Sequence, residues 1–206
     1  AGLIIILAVL GLILLKGPPE TMDSIAVLPL ENLTGDKEKE FFVDVATEEL
    51  IGKLGQISGL RRVISRTSVM KYKETDKTLS EIARELNVDV IVEGSVLQAG
   101  DRVRIQVRLI DALPEEQNLW GQAYERAMSD VRVMYGEMAR AIADKAKINL
   151  TADELTRLTS ASQVNPESYD AYLKGRSYLY NRDPTPEERK LALQYFELAL
   201  EIDPNN

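Results

Sequence analysis

Between Arg102 and Leu109 the chain alternates strictly. Val103, Ile105, Val107 and Leu109 are apolar, and Arg102, Arg104, Gln106 and Arg108 between them are polar. A period of two puts each set on its own face of a β-strand, one toward a core and one toward water. "DVIVEGSVLQ" precedes this run, and Gly100-Asp101 between the two predicts a hairpin. After the turn "ALPEEQ", "NLWGQAYERA" (Asn118–Ala127) predicts a third antiparallel strand. Elsewhere the period is helical. Val43, Ala46, Leu50, Leu54 and Ile57 recur every three to four residues, as do Val131, Met134, Met138, Ile142 and Ala146 in a helix opened by Asp130. "TLSEIARELNV" predicts another helix, started by the capping box Thr78-x-x-Glu81 and stopped at Asn87. Short apolar runs at Ile25–Leu28 and in "LRRVIS" (Leu60–Ser65) predict strands. The order β-α-β-α-β-β-β-α describes an α/β fold, a mixed sheet with helices packed against it.

The flanks differ from this middle. "AGLIIILAVLGLILL" (Ala1–Leu15) carries no charge, and Lys16 ends it. A spanning helix takes about 20 apolar residues, so 1–16 is expected to be a truncated transmembrane helix preceding the α/β domain. A signal-peptide core and a core helix are the alternatives; the first lacks a small-x-small cleavage site, since "KGPPETMDS" is polar and broken by prolines. Lys16 is the one basic residue before Lys37, which predicts a main domain outside the cytoplasm, periplasmic or otherwise extracytoplasmic, beyond a single-pass span. Gly17-Pro18-Pro19 stiffens a linker over 17–23. The α/β domain then covers 24–148, a connecting helix and turn 149–166, and two helices joined by a proline-rich turn 167–206.

Composition removes several chemistries. The sequence has no Cys and no His, so thiolate and imidazole metal sites, cysteine nucleophiles and Ser-His-Asp arrangements are excluded. A net charge of −8 argues against a dedicated nucleic-acid binder. The loop after the first strand, "ENLTGDKEKE", stands where α/β proteins often hold phosphates. It has Gly35 alone, no Lys-Ser or Lys-Thr, and an excess of acids, so it reads as a turn in which Asp36 favours the start of the next helix. A carboxylate metal site there is the less favoured alternative. No catalytic residue, cofactor or metal is expected.

"RRVISRTSVMKYK" (Arg61–Lys73) holds five basic residues and no acid. Arg61, Arg62, Arg66, Lys71 and Lys73 are therefore a candidate surface for an acidic partner or anionic lipid. The alternative is a solvated segment that balances the acids of Glu31–Glu49. In the row Arg102, Arg104 and Arg108, Glu93 and Glu125 on neighbouring strands are the expected partners. Trp120 and Tyr124 share a face of the last strand and read as core or helix-packing residues.

"SIAVLPLENLTGDKEKEFFVDVATEELIGKLGQISGLRRVISRTS", "IARELNVDVIVEGSVLQAGDRVRIQVRLIDA" and "LWGQAYERAMSDV" together resemble the TolB-like domain (TolB amino-terminal type) of bacterial membrane-anchored signalling proteins, colinearly over about Ser24–Ile148. It departs from the usual pattern at Leu30, where phenylalanine is common, and at Asp44-Val45, where an aspartate-glycine pair is common. The tail resembles a tetratricopeptide repeat, with Gly175, Tyr178, Ala192, Phe196, Ala199 and Pro204 at packing positions and a lengthened turn "NRDPTPEERK". These resemblances imply a non-catalytic sensing or protein-interaction region of a transcription regulator, nucleotide cyclase or Ser/Thr kinase, whose repeats take a protein partner through residues such as Tyr172 and Tyr195. The rivals are a cell-envelope assembly factor and, less favoured, a nucleotide-binding α/β enzyme domain. A lone repeat leaves Tyr172, Leu179, Tyr195 and Leu198 without a successor, so Tyr169–Asn206 is expected to be the least stable part of the chain.

Overall fold

The computed structural model describes residues 22–160, 163–180 and 183–204. Its centre is a six-stranded mixed sheet in the order β3-β1-β4-β5-β6, with β2 pairing on β4. The strands are β1 (Ser24–Val27), β2 (Glu31–Asn32), β3 (Arg62–Val63), β4 (Val90–Ala99), β5 (Arg102–Asp111) and β6 (Gln117–Ala127). β1 runs parallel to β3 and β4, and β2 runs parallel to β4. β4, β5 and β6 form an antiparallel meander, with one register shift where β5 passes Leu109/Ile110. The hairpin closes where expected, Ala99 opposite Arg102, with Gly100 at φ 59°. The left-handed region is open to glycine without the Cβ clash that other residues meet there.

The helices are α1 (Glu40–Leu54), α2 (Arg66–Val69), α3 (Leu79–Leu86), α4 (Val131–Lys145), α5 (Ala152–Thr159), α6 (Pro166–Tyr178) and α7 (Pro186–Ile202). Thr78 and Glu81 form the reciprocal capping box of α3, and Asn87 ends that helix at φ 52°, ψ 59°. The alternation of β5 sorts its side chains as predicted: Val103, Ile105, Val107 and Leu109 are fully buried. They pack with Ile25, Val27 and Val92 against Phe42, Val43, Leu50 and Leu54 of α1 and Met134, Met138 and Ile142 of α4. A smaller cluster on the other face sets Ala26, Leu28 and Ile91 against Val69, Tyr72 and the α3 residues Ile82 and Ala83.

The expected fold needs correction in three places. The order gains the two-residue β2 and the short α2, so it runs β-β-α-β-α-α-β-β-β-α before the terminal helices. Among the described residues no helix is long and apolar enough to cross a membrane; the apolar run Ala1–Leu15, on which the transmembrane element of the expected fold rested, lies outside them. The third concerns the tail, expected as a separate unit, whose first helix packs on the α/β domain. Tyr169 and Leu173 of α6 belong to the main core, each 1% exposed, beside α1 and α4.

Two close approaches join the later helices. A methyl at Gly136 of α4 would stand 1.9 Å from the carbonyl oxygen of Leu158, so only glycine lets α5 lie this close. The Glu154 carboxylate, in its capping box with Thr151, also accepts from the Ser58 N–H at 2.6 Å and ties α5 to the segment after α1. α7 packs on α6 as an antiparallel hairpin, where Ser168 Oγ donates to the Ala199 carbonyl at 2.7 Å.

Candidate functional site

The five basic residues of Arg61–Lys73 do not form one free patch. Arg61 pairs with Asp23 at 3.0 Å, and Arg62 donates to the Asn87 carbonyl at 3.2 Å. Lys71 lies 4.7 Å above the Tyr72 ring and 4.0 Å from Glu85. Arg66 and Lys73 turn toward α1 because α2 and the turn after it lay this segment across the acidic face of that helix. Lys73 reaches Glu40 at 2.6 Å and Asp44 at 2.8 Å, and Arg66 reaches Asp44 at 3.4 Å. Burial alone would lower the proton affinity of Lys73; its bonds to Asp44 and Glu40 more than offset this and hold it raised.

Arg66 also meets the tail, with its guanidinium 4.0 Å over the Tyr180 ring. Arg176 of α6 enters the same place, paired with Glu48 and, at 3.5 Å, with Glu49 of α1. It donates to the Tyr172 hydroxyl at 3.0 Å. A cleft of about 300 Å³ remains between Glu48, Arg66, Thr67, Arg176, Leu179 and Tyr180. Burial raises the Tyr180 phenol well above the ordinary range, which keeps it neutral between the two cations. The arrangement fastens the hairpin to the α/β domain: basic groups from α2 and α6 flank a shared acidic ridge on α1.

Of the two tail residues expected at an interaction surface, Tyr172 is partly buried against the core, 5.9 Å from the Tyr169 ring. Tyr195 stacks on Tyr178 at 5.8 Å between ring centroids. The hairpin also exposes large apolar side chains, with Leu179, Leu191, Leu193, Leu198 and Leu200 each at least 39% exposed among charged neighbours such as Glu187, Lys190 and Glu197. Sequence reasoning did not single out Glu48, Glu49 and Arg176, although two adjacent acids on a helix with a buried face were a signal that could have been followed.

The loop after β1 is closed on itself. Asn32 Nδ2 donates to the Asp36 carbonyl at 3.0 Å and to Glu40 at 2.9 Å, and Asp36 accepts from the Glu38 N–H at 2.8 Å. Beside it a polar groove of about 680 Å³ opens on the sheet face that α3 leaves uncovered, floored by Glu93, Ser95, Gln106 and Arg108. Arg108 pairs at 2.8 Å with Glu93, directly opposite it, and Arg102 pairs at 3.0 Å with Glu125, which stands opposite Arg104; both acids are the partners expected for the arginine row. Among the described residues no group of three or more acids is placed to hold a metal ion.

No family model matches the chain. A curated relative, "Putative adenylate cyclase 3" of Rhizobium meliloti (strain 1021), is 36% identical over 191 residues, covering 91% of this chain and 32% of its own length. The chain thus spans about a third of that relative. Similar solved structures include TolB from Acinetobacter baumannii (18% identity, TM-score 0.41, 63% of this chain and 29% of that one). They also include lipoprotein GNA1162 from Neisseria meningitidis (16%, 0.39, 63% and 99%) and the PelC dodecamer from Paraburkholderia phytofirmans (18%, 0.43, 65% and 94%). At such scores and identities these likenesses assign no activity.

Proposed function

We propose that this chain is a non-catalytic, protein-binding region of a bacterial signalling protein of nucleotide-cyclase type. The α6–α7 hairpin receives the partner, and the α/β domain is the platform that holds it. The apolar surface of α7 carries this reading. At about 100° per residue, Ala192 and Ala199 face α6, and Leu191 and Leu198 stand to one side of them. Leu193 and Leu200 stand to the other. The four leucines are 39%, 42%, 56% and 51% exposed. A helix apolar across so wide an arc is built for neighbours on both flanks, and helical repeats of the tetratricopeptide type bury such flanks by stacking. The signalling class is supported by the name of the cyclase relative and by the match to only a third of it, which leaves room for a separate output domain.

The test uses the chain and the complete protein side by side. The 206-residue chain should form no cyclic AMP from ATP. In the complete protein, Leu193→Glu with Leu200→Glu should change cyclic AMP output while the melting temperature of the chain stays unchanged. Turnover by the chain itself, or a double variant indistinguishable from wild type, would contradict the proposal.

A further inference from the structure

β6 is an edge strand. It pairs with β5 on one side, and among the described residues no strand pairs on the other. Such an edge presents a row of unpaired N–H and C=O groups, and proteins blunt it with charges, prolines, bulges or a cover. Here Leu119 is passed over in the register, which limits the regular edge to Trp120–Ala127, opposite Arg102–Leu109. The first five of those residues, Trp120 to Tyr124, carry neither charge nor proline.

The layer beneath this edge extends past it. Gln122, Tyr124 and Arg126 pair with Val107, Ile105 and Val103, so they lie on the core-facing side of the sheet. Gln122 is nevertheless exposed, because a groove of about 530 Å³ runs between these residues and Glu137, Arg140, Ala141 and Asp144 of α4. Arg126 bridges one end of it to Glu137 at 2.9 Å. The helix therefore overhangs the position where one more strand would place its inward side chains. An edge with free backbone groups and a roofed groove alongside is the geometry of peptide binding by strand addition.

We propose that β6 and α4 bind an extended peptide of a partner protein, added as a further strand with its alternate, small side chains in the groove against Tyr124 and Ala141. A second copy of this chain fits less well. Brought to the same edge by a two-fold axis through the middle of the groove, it would set Arg140 against its own mate and Glu137 near Asp144 of the other copy. This inference is independent of the hairpin reading, since it uses other elements and needs no partner on α7.

The probe is a capped heptapeptide of alternating threonine and valine, with a second version methylated on every backbone nitrogen. On the intact chain the first peptide should slow hydrogen exchange in Trp120–Ala127 and shift resonances of α4, with saturation below about 1 mM. The methylated version, which lacks the donors of both edges, should bind at least about tenfold more weakly. Ala141→Arg, which fills the groove without touching the strand, should weaken binding similarly while β5 stays protected. Should that variant fold poorly, the methylated peptide still decides. No binding at 1 mM, equal binding of both peptides, or protection of the edge by concentration-dependent self-association would overturn the proposal.

Discussion

Arg176 of α6 forms an ion pair with Glu48 of α1, and through this contact the helical hairpin is fastened to the α/β domain. Burial alone would lower the proton affinity of the guanidinium; Tyr180, Tyr172 and Glu48 more than offset it, so the group stays charged. Its side chain is 19% exposed and that of Glu48 is 37% exposed. Removing one partner of a fully buried pair costs about 3–5 kcal/mol, and water at Glu48 reduces this. Arg176→Ala should therefore destabilise the chain by about 1–3 kcal/mol, read as a lower urea midpoint. Arg176→Lys should recover only part of the loss, because an ammonium cannot bond Glu48, Glu49 and Tyr172 in the fork geometry of a guanidinium.

Glu154 gives the fold a pH dependence. Hydrogen bonds from the backbone of Ser58 and from Thr151 pull its carboxyl down to about 2, from an ordinary 4.5. A depressed folded-state value stabilises the fold above the unfolded value, and that contribution fades as pH falls from about 4.5 toward about 2. Glu154→Gln should lower the melting temperature at neutral pH. It should also flatten the acid side of the stability profile between those two values. A profile unchanged in shape would mean that the Ser58 contact carries no coupling.

Asp44 and Lys71 separate the two readings of the basic segment. Asp44 is 16% exposed and lies between Arg66 and Lys73, whereas the side chain of Lys71 is 60% exposed. Asp44→Ala should cost about 1–3 kcal/mol, since it leaves two cations short of a partner. Lys71→Ala should stay within about 0.5 kcal/mol of wild type. Chemical denaturation of the two variants checks both. If only Lys71→Ala and the equally exposed Arg61→Ala impair binding of an acidic partner, the segment has an outward face as well as an inward one.

Much of the sheet was legible because β5 alternates from Arg102 to Leu109 and its burial follows that alternation. The ends of α3 were legible for a local reason: Thr78, Glu81 and Asn87 each satisfy the helix through their own side chain or backbone. β2 escaped because two residues carry no period. α2 escaped because it is one turn long and the charges of Arg66, Lys71 and Lys73 in and after it hid two buried residues, Val69 within it and Tyr72 just beyond, which pack in the smaller core cluster. The docking of the tail escaped for a different reason. Tyr169 and Leu173 have the spacing of any amphipathic helix, and nothing local distinguishes packing on α7 from packing on α1 and α4. The acids of α1 and Arg176 meet only because the sheet brings distant segments together.

Hydrogen exchange across the whole chain tests the docked hairpin most directly. With Tyr169 and Leu173 in the main core and Arg176 paired to α1, α6 amides should open with the same free energy as those of Val103–Leu109 in β5. Those of α7, which packs chiefly on α6 and leaves its leucines uncovered, should open more easily. Arg176→Ala should bring α6 down toward α7 while β5 is unaffected. If α6 and α7 instead exchange together, and far faster than β5, the hairpin is not held by the α/β domain and cannot pass a partner's binding to it.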